Sequence, residues 1–221
     1  MVLPIGDDNR DRKTFPIVNY LLIGLNIFAF IYWQQWGKNV GLTYYYATVP
    51  GDVLSGRHID TLITSMFMHG GLLHLLGNML FLYIFGDNVE DAMGHVAYLI
   101  FYLLCGTLAG LSHVGTTLFL GQDLSIPSLG ASGAISGVLA AYLRLFPGKR
   151  VYLWVFLFIV PVPAFIALGI WFAFQVIDGL GMLGGQQTGN VAYAAHIGGF
   201  IFGLLLTRMF AGRSRARRGY R

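Results

Sequence analysis

Apolar residues run along this chain in long blocks separated by short polar interruptions. The blocks lie near Val18 to Trp33, Leu62 to Phe85, Val96 to His113, Ala131 to Phe146, Val151 to Val176 and Val191 to Phe210. Apolar runs of about 18 residues or more are long enough to cross a hydrocarbon core of about 30 Å, so the pattern predicts six membrane-spanning helices. The first block ends in "IYWQQWGKN" without a small-residue cleavage site, so it reads as a retained span and not a signal peptide. Pro161 and Pro163 fall inside the fifth block, where they are expected to kink a helix, and "DGLGMLGGQQTGN" after it reads as a loose glycine-rich connection. The stretch between the first and second blocks is long and mixes aromatic with polar residues, as an interfacial segment would.

Composition sharpens this picture. Of the 221 residues, 56% are hydrophobic and only 11% charged, with a mean hydropathy of +0.64. Soluble domains carry about 25% charged residues, so an ordinary soluble fold is excluded. The expected fold class is an all-α membrane protein, a six-transmembrane-helix bundle with a long first outer loop. Its expected organisation is a short N-terminal segment (1–17), a six-span domain (18–210) and a basic tail (211–221). With one cysteine, Cys105, no disulfide can form within a chain.

The basic residues set an orientation. Six spans would place both termini and the loops after the second and fourth spans on one side, and that side holds 12 of the 14 Lys and Arg residues. The other side holds Lys38 and Arg57 alone. Basic residues in short loops favour the cytoplasmic side, so both termini are expected there. The tail "RSRARRGYR" is explained as a topology signal beside anionic lipid, and no nucleic-acid partner is expected.

Candidate chemistry begins in "PSLGASGAISGVLAAYL", residues 127–143, where Ser132 opens an apolar helix. Backbone N–H groups on a first helical turn lack intrahelical acceptors and can hold a developing negative charge. Gly133 and Gly137 have a competing reading as a small-xxx-small surface for helix packing. In "AYAAHIGGFIFGLL", His196, Gly199 and Gly203 share one helical face. An intramembrane histidine is a functional hypothesis by default, although it can also simply bond a neighbouring helix. His74 and Asn78 lie one turn apart on the second span, and both can donate hydrogen bonds. A nucleophile, a base and two donors are what acyl transfer requires. A metal held by His69, His74 and His196 is the alternative, but no carboxylate or thiolate obviously completes it. Neither a metal nor a cofactor is expected.

These residues resemble the rhomboid family of intramembrane serine proteases. The resemblance runs from "FPIVNYLLIGLNIFAF" to "AHIGGFIFGLLL" and includes a GxSG element at Gly130 to Gly133, an HxxxN element at His74 to Asn78 and a final histidine at His196. It implies a Ser132–His196 dyad, with His74, Asn78 and the backbone N–H of Ser132 forming an oxyanion hole. Asp178, Glu90 and Asp91 offer no evident acidic third member. It also implies transmembrane protein substrates, a lateral gate at the fifth span and a mobile cap after it. Gly133 and Gly199 would support the dyad by close packing. Where some relatives stack an aromatic ring on the histidine, four positions after the serine, this chain has Ser136, a candidate polar support for His196. A Trp-Arg pair found in some relatives is replaced by the stretch "HIDTLITSMF". The bare six-span core looks prokaryotic, favouring a bacterial or archaeal cell membrane. Two further classes stay open: a catalytically silent relative that binds membrane clients, and a transporter using buried histidines. Silent members typically lack the serine or histidine, and no inverted repeat supports a transporter.

Overall fold

A computed structural model of the chain describes residues 2–183 and 193–211. It is mostly helical. Helix α1 (Ile17–Phe28) continues through a π-helical turn to Trp33, and three short helices follow: α2 (Val40–Tyr45), α3 (Pro50–Leu54) and α4 (Thr61–Thr64). Then come α5 (Leu72–Met93), α6 (His95–Phe119), α7 (Ser132–Leu145), α8 (Ala164–Leu183) and α9 (Tyr193–Phe210). Among the described residues, four of these, α5, α6, α8 and α9, are long and apolar enough to cross a membrane. The helix Ile17–Trp33 and α7 are apolar but shorter.

The expectation of an all-α fold is corrected by a three-stranded antiparallel sheet. Strand β1 (Val2–Asp7) pairs with β2 (Arg150–Val155), which pairs in turn with β3 (Phe158–Pro163). The fifth apolar block is therefore a hairpin followed by α8, not one kinked helix. Its first half is rich in aromatic and β-branched residues, which suit strands. Pro161 and Pro163 lack the N–H a helix needs, and they sit on β3, an edge strand where the missing donor is tolerated. The second block also shifts, because α5 starts only after Gly70 and Gly71 and keeps Asp87, Glu90 and Asp91 within the helix. His74 consequently lies on the first turn of α5. The glycine-rich connection after residue 183 and the basic tail after residue 211 lie outside the described residues.

Helix α7 occupies the centre. Every residue from Gly133 to Tyr142 is buried, as expected of a helix apolar on all sides. It packs against α5, α6 and α9. Between α5 and α6 the single residue Gly94, at φ +88°, reverses the chain, a conformation costly for residues with a Cβ.

Polar contacts at the far end of α7 from Ser132 bind the N-terminal segment to the bundle. Buried Glu90 accepts hydrogen bonds from the backbone N–H groups of Val18 and Asn19, donors in the first turn of α1 that have no intrahelical acceptor. Asp91 accepts from the backbone N–H groups of Lys13 and Thr14, and Asp87 pairs with Arg12. Tyr142 of α7 donates to Asp7 of β1 at 2.5 Å. Burial pushes the Asp7 carboxyl up to about 6, with the Tyr142 bond opposing the shift and the nearby Asp87 charge adding to it.

Candidate active site

The site forms where the head of α7 meets α9 and α5. Gly199 and Gly203 face the backbone carbonyls of Gly133 and Gly137, and a Cβ on Gly203 would fall 2.5 Å from the Gly137 oxygen and 2.6 Å from its Cα. The absent side chains of Gly133 and Gly137 serve a different neighbour. A Cβ there would meet Ala109 Cβ at 2.7 Å and Cys105 Sγ at 2.6 Å, both on α6. The two small-residue pairs thus let α7 approach α9 with its backbone and α6 with its missing side chains, the packing that replaces hydrophobic drive in lipid.

That approach brings Ser132 and His196 together. Ser132 is the first residue of α7, and its Oγ lies 2.7 Å from His196 Nε2. Both side chains belong to half-buried residues. On its other edge, His196 Nδ1 lies 2.6 Å from Gln175 Oε1 on α8. Trp171, one turn earlier on α8, presents its ring to the imidazole at a centroid distance of 6.3 Å. Ser136 is not among the partners of His196 in this arrangement. It donates instead to the Ser132 carbonyl of its own helix at 2.7 Å. Supports around the imidazole come from α8, a helix in which sequence reasoning singled out no residue for that role. A signal was present, because Gln175 is the one amide in the apolar run from Ala164 to Val176, and isolated polar residues at membrane depth usually have a function.

His74 and Asn78 border the turn leading into Ser132. A Cβ on Gly130 would lie 2.8 Å from His74 Cε1, 2.9 Å from His74 Nε2 and 3.7 Å from Asn78 Nδ2. Gly130 also has φ +122°, so this position needs glycine for both its backbone and its clearance. The turn is fixed by Gly130 N–H donating to the Ser65 carbonyl at 2.9 Å and by a bridge between Thr48 and Ser128. Gly70 N–H donates to His74 Nδ1 at 3.3 Å, which leaves His74 Nε2 as the protonated edge. Asn78 Nδ2 is buried and has no hydrogen-bond partner among the described residues. Gln34 secures the adjacent segment, donating to Thr43 Oγ1 and the His69 carbonyl and accepting from His69 N–H. His69 itself packs edge-on against His74. Among the described residues, no group of three or more His, Cys, Asp or Glu side chains is placed to hold a metal ion.

Chemically, this arrangement offers a hydroxyl bonded to an imidazole, an acceptor behind the imidazole and donors facing the same turn. Glu90 and Asp91 bond the N-terminal segment and play no part in it.

Comparison with known proteins agrees with the motifs. The rhomboid domain family matches residues 56–213. Rhomboid protein 1, mitochondrial, of Saccharomyces cerevisiae is 32% identical over 187 residues, covering 84% of this chain and 51% of that protein. The Bos taurus presenilin-associated rhomboid-like protein, mitochondrial, is 29% identical over 183 residues, covering 83% and 46%. RHOMBOID-like protein 12, mitochondrial, of Arabidopsis thaliana is 30% identical over 190 residues, covering 80% and 54%. The chain therefore spans about half the length of the relatives it matches. Their names place those relatives in mitochondria, which runs against the expectation of a prokaryotic membrane. The match across most of its length makes this chain a member of the rhomboid family.

Proposed function

We propose that the chain is an intramembrane serine endopeptidase that hydrolyses peptide bonds in or near transmembrane segments of other membrane proteins. The observation that carries this reading is the 2.7 Å contact between Ser132 Oγ and His196 Nε2 at the head of a buried helix. Ser132 Oγ attacks the substrate carbonyl carbon while its proton passes to His196 Nε2. The imidazolium then returns that proton to the leaving amine as the peptide C–N bond breaks. A water, deprotonated by the same nitrogen, hydrolyses the acyl-enzyme and restores Ser132. His74 Nε2–H, Asn78 Nδ2–H and the Ser132 backbone N–H form the oxyanion hole. The orphaned Asn78 donor supports this role, since leaving a buried donor unpaired costs about 1 to 3 kcal/mol unless an acceptor arrives.

In this reading six segments cross the bilayer: the four long helices together with Ile17–Trp33 and α7. At 14 residues, α7 is about 21 Å long and falls short of a hydrocarbon core of about 30 Å. Ser132 accordingly lies below the outer surface with a route for water above it, and both termini lie on the cytoplasmic side. The partners are transmembrane protein substrates and the lipid bilayer, and the chemistry needs no cofactor.

The test is cleavage of a single-span substrate by detergent-solubilised protein. Ser132→Ala and His196→Ala should each abolish it, and labelling by a serine-directed phosphonate should require both residues. Cleavage that survives Ser132→Ala would sink the assignment.

A further inference from the structure

A dyad histidine has a problem of orientation. Its Nε2 accepts the serine proton only if the neutral ring carries its own proton on Nδ1, and the ring must not rotate about its side-chain bonds. A carboxylate serves this purpose in serine–histidine–aspartate enzymes. Here the atom facing Nδ1 is Gln175 Oε1, at 2.6 Å. A single assignment satisfies both edges of the ring. With Ser132 Oγ–H donating to Nε2, Nδ1 carries hydrogen and the neutral amide oxygen accepts it. Trp171, four residues before Gln175 and so on the same face of α8, adds a ring beside the imidazole.

We propose that Gln175 is a positioning residue that fixes the tautomer and orientation of His196, a role resting on the protease reading above. Its neutrality has a consequence. A carboxylate in the same place would favour the imidazolium, whereas an amide orients the ring while leaving the proton free to move on to the leaving group. The placement also gives a partner to an amide on α8, the least buried of the four long apolar helices. A polar group there is costly unless it has a partner. Among the described residues, the titratable side chains facing His196 are His74 from α5 and Tyr193 from its own helix, and no carboxylate bonds it.

The experiment compares kcat and KM for a single-span substrate across pH, using wild type, Gln175→Leu and Gln175→Glu, with Ser132→Ala as the blank. Gln175→Leu should lower kcat about 10- to 100-fold with KM changed less than about threefold, because orientation is lost and substrate binding is not. Gln175→Glu restores an acceptor of the same size. It should recover most of kcat at alkaline pH and move the acidic limb of the kcat/KM profile upward by about 1 pH unit or more. A purely structural role would slow Gln175→Leu and lower its Tm without moving that limb. Wild-type kcat in Gln175→Leu, or an unshifted limb in a folded Gln175→Glu protein, overturns the proposal. A wild-type protein that neither cleaves nor takes up the phosphonate would overturn the protease reading itself.

Discussion

Gly203→Ala tests whether the glycine face of α9 sets the catalytic distance. Gly203 lies seven residues, about two turns and 10.5 Å, beyond His196 and touches no part of the site. Its added Cβ would meet the Gly137 oxygen at 2.5 Å and Cα at 2.6 Å, both backbone atoms that cannot rotate away. Restoring an ordinary 3.4 Å contact moves α9 from α7 by about 0.9 Å. A rigid displacement of that size stretches the Ser132–His196 contact from 2.7 Å to about 3.6 Å, beyond hydrogen-bond range. Overpacking of this kind costs about 1 to 3 kcal/mol of stability, and a 1 Å misplacement costs about 10²-fold in rate. The assay is kcat/KM on the single-span substrate beside thermal unfolding in detergent. Gly24→Ala is the control, since a Cβ there has nothing within 4 Å and the exposed helical site gains up to about 1 kcal/mol in propensity. Gly203→Ala with wild-type kcat/KM would refute the claim that backbone contact between α7 and α9 holds the dyad together.

Two other outcomes follow from the same geometry. Asn78→Ala should lower kcat about 10²- to 10³-fold while leaving phosphonate-accessible Ser132 in place, measured by cleavage and labelling in parallel. Asp7 should make stability pH-dependent: its raised folded-state value of about 6, against 3.8 when free, favours the protonated form in the folded protein. That contribution is fully present below pH 3.8 and is lost as pH rises through 6, an effect of up to about 3 kcal/mol. Asp7→Asn should therefore flatten the pH dependence of Tm between those values, and an unchanged pH profile would count against the shift.

Much of the candidate site was legible because membrane depth makes polar residues conspicuous. Ser132, His74, Asn78 and His196 stand out against apolar surroundings, and helical spacing alone put His196 on the face of Gly199 and Gly203. Gln175 meets the same criterion, but its partner lies on a different helix and no spacing rule links the two. The hairpin is hidden from the sequence for another reason. A hydropathy window weighs "VYLWVFLFIVPVP" as it weighs a helix, while the two prolines and the long-range partner β1 contribute nothing to that average. Ser136 is a candidate support for His196 only by its place where some relatives carry a ring, whereas its hydroxyl satisfies the backbone one turn back.

Strand β1 carries a consequence for how the chain is made. Val2 pairs with Val155, so β1 must wait after its synthesis for a partner some 150 residues behind it. At synthesis rates of about 5 to 20 residues per second, that wait is roughly 8 to 30 s. During it, helices α1, α5, α6 and α7 are synthesised while β1 still lacks its partner strand. The closing of β1 onto β2 then marks a point in assembly at which α7, anchored through Tyr142 to Asp7, has arrived. A folding reporter on β1 would time the completion of the helix that carries Ser132.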